Sequence, residues 1–134
     1  MTLTKRREQI LDGKECFMLR VELPTCFDVA RYLAKAGVVN PKSGKQFTPF
    51  AIWHASMKWV IFHPDEARPY YQAEHAPYAF DDEEWEKWLV LTAMRIFRNS
   101  RGSFLRWMRV MKLDKEKYKS LYAKRYGITG WNVD

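Results

Sequence analysis

The residues of this chain whose types and spacing could do chemistry are mainly its lysines and arginines. The chain has 134 residues and a formal net charge of +7, distributed unevenly. Between Arg31 and Phe62 there are five basic residues and no acidic one, and from Lys87 to Arg125 there are twelve basic residues and two acidic ones. The segment 74–86 has six acidic residues and no Lys or Arg. Such clustering of positive charge is typical of a protein that binds a polyanion, most often nucleic acid.

The pair Gly44-Lys45 resembles the end of a phosphate-binding P-loop. That loop requires the pattern G-x-x-x-x-G-K, followed by a Ser or Thr whose hydroxyl holds magnesium. Here the preceding glycine, Gly37, is seven positions before Gly44, and Gln46 stands where the hydroxyl residue is required. The spacing excludes a P-loop.

The residue types that carry catalysis show no pattern typical of an active site. His54, His63 and His75 lack metal-ligand spacing with carboxylates or cysteines. Cys16 and Cys26 are too few for a disulfide framework and are predicted to be buried free thiols. No serine lies in a nucleophile elbow. We therefore predict a protein that is not an enzyme and that uses no cofactor and no metal ion.

The hydrophobic pattern predicts a mainly α fold, a single small helical domain of about five helices. We expect an N-terminal arm or short helix over residues 1–14, the helical domain over 15–126 and a C-terminal tail over 127–134. Apolar residues partly alternate over 15–23 and Pro24 follows, which predicts a short N-terminal strand. A first helical turn is the competing interpretation of that segment.

Two helices are predicted to flank a turn in the first basic segment. Thr25, with Asp28 three residues later, predicts the start of one helix, and Gly37 predicts its end. Thr48 followed by Pro49 predicts the start of the next helix, because Pro is well tolerated in the first helical position. The turn signals Asn-Pro and Ser-Gly between them predict a tight, hairpin-like connection.

Three further helices are predicted in the second half of the chain. Asp81 with Glu84 predicts the start of the first, Ser103 is predicted to cap the second, and Asp114 the third. The stretch 63–80 contains three prolines and four aromatic residues, and we interpret it as an ordered connector with at most one helical turn.

The helix, turn and helix of residues 25–62 predict a helix-turn-helix with a lengthened turn. The segment from Phe27 to Trp53 resembles the helix-turn-helix part of recombinase-type and related mobile-element DNA-binding domains, in its "G-hydrophobic" and "G-K-x-aromatic-[ST]" pattern. The matching residues are Ala30, Leu33, Gly37, Val38, Gly44, Lys45, Phe47 and Thr48. The resemblance implies that the helix beginning at Thr48 is a recognition helix.

Two groups of residues are predicted to contact nucleic acid. The residues predicted to contact phosphates are Lys42, Lys45, Thr48, Lys58, Arg95, Arg98, Arg101, Arg106, Arg109 and Lys112. The residues predicted to read bases are Gln46, His54 and Ser56. The arginines recur every three residues, which predicts a stripe on each of two helices. Their alternative role is to pair with the acidic residues of 81–86.

We therefore expect a cytoplasmic DNA-binding regulator of helix-turn-helix type, phage or mobile-element encoded, whose partner is double-stranded DNA. A homodimer would suit this class, and no membrane span is expected. The first alternative is an RNA-binding or ribonucleoprotein component, with Trp107 and Trp131 as candidate stacking residues. The second is a protein-interaction module, such as an inhibitor of a nucleic-acid enzyme.

Overall fold

A computed structural model of the protein describes residues 12–75 and 79–127, which form helices and the turns between them. The predicted mainly α class is confirmed. The predicted N-terminal arm lies outside the described residues except for its last three positions, and the predicted tail lies outside them except for Gly127.

The chain divides into two compact units, with the boundary between Glu74 and His75. This boundary falls within the stretch that the sequence analysis assigned to one domain. The first unit contains the helices α1 (Gly13–Glu22), α2 (Cys26–Lys35), α3 (Pro49–Phe62) and α4 (Pro64–Glu74). The second contains α5 (Asp82–Ile96), α6 (Arg101–Val110), a 3-10 helix (Glu116–Tyr118) and α7 (Lys119–Tyr126).

The predicted strand over 15–23 is wrong, because helix α1 covers this segment. Cys16 and Phe17 are both buried although they are adjacent, whereas successive side chains of a strand point to opposite faces. Val21, which the alternating pattern placed with the buried set, is 46% exposed. The side chain of Asp12 caps the helix by accepting a hydrogen bond from the backbone N–H of residue 15 at 2.8 Å.

The predicted starts of α2 and α3 are confirmed. The Thr25 hydroxyl accepts a hydrogen bond from the Asp28 N–H at 3.2 Å, and the Asp28 carboxylate accepts one from the Thr25 N–H at 3.1 Å, which completes a capping box. The Thr48 hydroxyl accepts a hydrogen bond from the Ala51 N–H at 3.1 Å. Gly37 follows α2 with a φ of +74°, the left-handed conformation that favours glycine.

The turn between α2 and α3 has a hairpin-like geometry, as predicted. The Asn40 N–H donates to the Lys45 carbonyl at 2.8 Å, and the Gly44 N–H donates to the Asn40 carbonyl at 2.7 Å. Val39 and Gln46 form an isolated antiparallel β-bridge. These bonds give a tethered loop that presents lysine side chains to solvent.

The core of the first unit lies where α1 and α2 pack against α3. Its buried residues are Cys16, Val29, Leu33, Val38, Phe47 and Ile52. The start of α1 approaches α3 so closely that a Cβ atom on Gly13 would lie 2.6 Å from the Ala55 carbonyl oxygen and 2.8 Å from the Trp59 Cβ. Only glycine fits at this contact.

Helix α4 lies where the sequence predicted an ordered connector that has at most one helical turn. It has 11 residues, begins at Pro64 and carries Asp65 and Glu66 in its first turn. These features favour helix formation, because Pro suits the first position and acidic side chains complement the helix dipole. Pro69 lies inside the helix, where it removes one backbone hydrogen bond without ending it.

Of the three helix caps predicted in the second unit, the first is confirmed and the other two are wrong. The Asp81 carboxylate accepts a hydrogen bond from the Glu84 N–H at 2.7 Å, so this predicted cap is confirmed. The cap of α6 is Ser100 and not Ser103, because the Ser100 hydroxyl accepts from the Ser103 N–H at 3.4 Å. Asp114 accepts from the residue 116 N–H at 3.1 Å and so precedes the 3-10 helix, not α7.

The C-terminal part of the second unit is held to α5 by polar contacts around Glu86. The Tyr118 hydroxyl donates to the Glu86 carboxylate at 2.5 Å, and the Lys117 ammonium lies 3.3 Å from the same carboxylate and 3.0 Å from that of Glu83. Burial, followed by the hydrogen bond to Glu86, raises the pKa of Tyr118 to about 12.

The substitution Gly13→Ala should lower the free energy of unfolding by about 1–3 kcal/mol, because the added methyl group would overpack the contact between α1 and α3. Gly102→Ala is the control, since no atom lies within 4 Å of a Cβ at that helical position. Denaturant unfolding followed by circular dichroism measures both. Equal stability of the two variants would contradict the close approach.

The stability contributed by Tyr118 should depend on pH. It is fully present below pH 10, the usual pKa of tyrosine, and is lost as the pH rises to about 12, because the unfolded chain releases this proton at lower pH than the folded chain. The measurement is the difference in unfolding free energy between wild type and Tyr118→Phe as the pH is raised. A difference in unfolding free energy that stays constant through this pH range would contradict the raised pKa of Tyr118.

Candidate nucleic-acid interface

The first unit brings two predicted phosphate contacts to one groove. Lys42, from the turn, and Lys58, from the third turn of α3, line an open groove of about 770 Å³ together with Phe50, His54 and Trp59. Residues spaced four apart lie on one face of a helix, so Phe50, His54 and Lys58 form a continuous stripe on α3. We call these three residues the α3 stripe.

Helix α3 is buried over most of its circumference. Its buried residues are Ile52, Ser56, Met57, Val60 and Ile61. The exposed residues of α3 are Phe50 and Lys58, so the α3 stripe contains the part of this helix that a partner can reach.

Aromatic rings are prominent along the groove. Phe50 is 69% exposed, and its ring centroid lies 5.9 Å from that of His54. Trp59 and His63 stack with centroids 5.2 Å apart and an interplanar angle of 16°. The groove therefore offers flat apolar surfaces beside its lysines.

The positive charge of this surface is not neutralised by the described residues of the first unit. Among residues 12–75, no carboxylate lies at ion-pair distance from Lys42, Lys45 or Lys58. Of the described residues that line the groove, Asp12 is the acidic one, and its carboxylate already accepts the hydrogen bond that caps α1. The surface is suited to an anionic partner.

Ser56 is not a base-reading residue, contrary to the prediction from sequence. It is fully buried, its hydroxyl accepts a hydrogen bond from Arg20 Nη1 at 2.8 Å, and it donates to the Trp53 carbonyl at 2.9 Å. Helical spacing places Ser56 on the packed face of α3, whereas the sequence analysis took it for a surface residue.

The other residues predicted on the first unit remain accessible to different degrees. Lys45, Gln46 and Thr48 are exposed, and His54 is half-buried in the groove. The Thr48 hydroxyl is occupied as the cap of α3, where it accepts from the Ala51 N–H. Because Pro49 has no N–H and the Ile52 N–H donates to the Thr48 carbonyl, the Phe50 N–H is the backbone group left for a phosphate at this helix start.

Arg20 was missed by the sequence analysis. Its Nη1 donates to the Ser56 hydroxyl and, at 3.0 Å, to the Met57 sulfur, so this one arginine joins α1 to α3. The signal in the sequence was its position four residues after Cys16, a residue predicted to be buried, which puts both side chains on one face of α1.

The arginines of the second unit do not form the two predicted stripes. Helix α5 ends at Ile96, so Arg95 lies in its last turn, Arg98 in the following turn and Arg101 at the first position of α6. A single helix would have been needed to align these three residues. The first stripe is therefore wrong.

The second group of basic residues is partly aligned. Arg106 and Arg109 lie exposed on one face of α6, next to Val110, which is 57% exposed. Lys112 follows the helix with a φ of +57° and is also exposed. Trp107 is fully buried, which excludes it as a stacking residue, and Trp131 lies outside the described residues.

The acidic segment does not neutralise this arginine face. Glu83 and Glu86 contact Lys117, and within residues 79–127 no carboxylate lies at ion-pair distance from Arg106 or Arg109. The alternative role of these two arginines, pairing with the acidic residues, is therefore wrong.

The described part of the chain contains neither a metal cluster nor a membrane-spanning helix. No group of three or more His, Cys, Asp or Glu residues there is placed to hold a metal ion. No helix there is both long and apolar enough to cross a membrane.

No protein family model, curated protein or solved structure matches the chain. The resemblance to recombinase-type domains rests on the residues quoted from the sequence.

Ser56→Ala should lower the free energy of unfolding by about 1–3 kcal/mol, because the part-buried Arg20 loses a hydrogen-bond acceptor. The control is Ser43→Ala in the exposed turn, where water replaces the lost hydroxyl. Urea unfolding measures both. Nucleic-acid binding by folded Ser56→Ala should equal that of wild type, and a loss of binding without a loss of stability would restore Ser56 as a contact residue.

Proposed function

We propose that this chain is a non-enzymatic DNA-binding protein of helix-turn-helix type, in which α2 and α3 are the two helices of the motif. In this arrangement α3 enters the major groove of the duplex, and the turn between the helices lies along the phosphate backbone. The resemblance to mobile-element DNA-binding domains supports a role as a regulator of a phage or mobile element.

The observation that carries the proposal is the meeting of Lys42 and Lys58 at one groove. The two residues are far apart in the sequence, yet the fold brings them to the same surface, where no carboxylate of the described first unit pairs with them. Unpaired lysines positioned by a rigid scaffold are suited to phosphate contacts, which orient a protein on the duplex without reading its sequence.

The start of α3 adds the positive end of a helix dipole to this surface, which favours an anion. Its backbone offers the Phe50 N–H for a phosphate, because Pro49 has no N–H and the Ala51 N–H donates to the Thr48 hydroxyl. Lys45 lies in the turn that precedes this helix, and both Lys45 and the Thr48 cap are exposed. Gln46 and His54 remain as the polar side chains available for base contacts.

The face of α6 supports RNA as the second candidate partner. Arg106, Arg109 and Val110 combine guanidinium groups with an exposed apolar side chain, and arginine is suited to phosphate and to stacking on unpaired bases. A competition between duplex DNA and structured RNA distinguishes the two candidates.

The test is the binding of labelled duplex DNA, single-stranded DNA and structured RNA across a salt series. We expect wild type to prefer the duplex and to lose affinity steeply as salt rises. The double variant Lys42→Glu/Lys45→Glu should bind at least about tenfold more weakly and show a salt slope smaller by about 2, one unit for each lost phosphate contact.

The matched control is Lys119→Glu/Lys124→Glu, which makes the same change in net charge on exposed positions of α7. It should leave the salt slope nearly unchanged. An equal loss in both variants would mean that net charge alone drives binding. No binding of any of the three nucleic acids by folded wild type would overturn the proposal and favour a protein partner.

A further inference from the structure

We propose that the groove beside α3 receives one unpaired nucleobase, so that the preferred partner is a duplex with a locally unpaired nucleotide and not a perfect duplex. This inference rests on the proposed function, because it concerns what the same surface of the first unit recognises. The base would stack against Phe50, and the lysines on the two sides of the groove would hold its backbone.

The α3 stripe has few polar side chains that could bond to the edges of paired bases. Reading of paired bases in the major groove relies on polar side chains that can bond to base edges. With Ser56 buried, His54 and Lys58 are the polar side chains of the stripe, and the exposed residue in the first turn of α3 is Phe50. The stripe therefore offers few groups that bond to base edges, and its exposed ring suits the flat face of a base.

The exposure of the Phe50 ring favours stacking against an unpaired base. A phenylalanine that is 69% exposed carries a cost in water, because its apolar surface is not removed from solvent. It stands at the edge of the groove, where its ring stacks with that of Trp53 at a centroid distance of 6.2 Å. Aromatic side chains in such positions are the usual platforms for unpaired bases, since every base has an apolar face.

The groove has a volume that suits a small ligand, and a close backbone contact holds one of its walls in place. Its volume of about 770 Å³ lies within the range of ligand pockets, roughly 300–1,000 Å³. Trp59 and Gly13 both line it, and the close contact of Gly13 with the Trp59 Cβ holds one wall in place. A preformed pocket reduces the entropy lost when a base is bound.

The lysines of the groove lie where they could contact the phosphates of a bound nucleotide. Lys42 lies on the turn and Lys58 on α3, and both line the groove that holds the aromatic rings. A nucleotide needs this combination, an apolar surface for the base and cations for its phosphates. A purely apolar peptide would leave the lysines without partners.

The experiment compares three probes of the same sequence by fluorescence anisotropy: a perfect duplex of about two helical turns, that duplex with one bulged nucleotide, and the single strand. Wild type should bind the bulged duplex about tenfold more tightly than the perfect one. Phe50→Ala should abolish this preference, with a loss of about tenfold on the bulged duplex, the size expected for one base–aromatic stack. Phe50→Trp should retain the preference.

Phe27→Ala is the matched control, because Phe27 is also largely exposed, at 64%, but lies on α2 and does not line the groove. It should leave binding of all three probes unchanged. A second readout places 2-aminopurine at the bulged position, whose fluorescence should be quenched by stacking in wild type and not in Phe50→Ala.

The outcomes separate this inference from the proposed function. Salt-dependent binding with equal affinity for perfect and bulged duplexes, and an equal effect of Phe50→Ala on both, would overturn the groove proposal and leave duplex binding intact. A loss of the bulge preference in Phe27→Ala as large as in Phe50→Ala would also overturn it. No salt-dependent binding of any probe would overturn both.

Discussion

The packing of α1 across α3 decides which parts of the first unit remain accessible. Gly13 allows the backbones to come within contact distance, and Arg20 donates hydrogen bonds to Ser56 and Met57 of α3. Phe50 and Lys58 remain exposed beside these contacts. Gly13 also lines the groove, so the packing that forms the core shapes one wall of the groove.

Arg20 also shows how a half-buried charge can be held by neutral partners. These partners are the hydroxyls of Ser56 and Tyr71 and the thioether of Met57, and no carboxylate lies at ion-pair distance from Arg20 among residues 12–75. A charge in such surroundings depends on every acceptor it has, since water reaches it only in part. This explains why a serine in the middle of an apolar helix has a structural role.

The uneven charge of the chain has two distinct physical uses. In the second unit, the acidic residues Glu83 and Glu86 fasten Lys117 and Tyr118 and so attach the 3-10 helix to α5. Among the described residues of the first unit, the lysines of the turn and of α3 have no such partners. Their positive charge therefore stays unpaired at that surface, which suits an anionic partner.

Local signals in the sequence determined where α2, α3 and α5 begin, and only the tertiary structure decided which of their faces are exposed. The caps at Thr25, Thr48 and Asp81 were predictable because a side-chain acceptor and a backbone N–H three residues apart suffice to form them. Whether Ser56 points to solvent or to Arg20 depends on the packing of α1, and the meeting of Lys42 with Lys58 depends on the path of the whole turn. Such contacts join residues distant in the chain, and no local pattern encodes them.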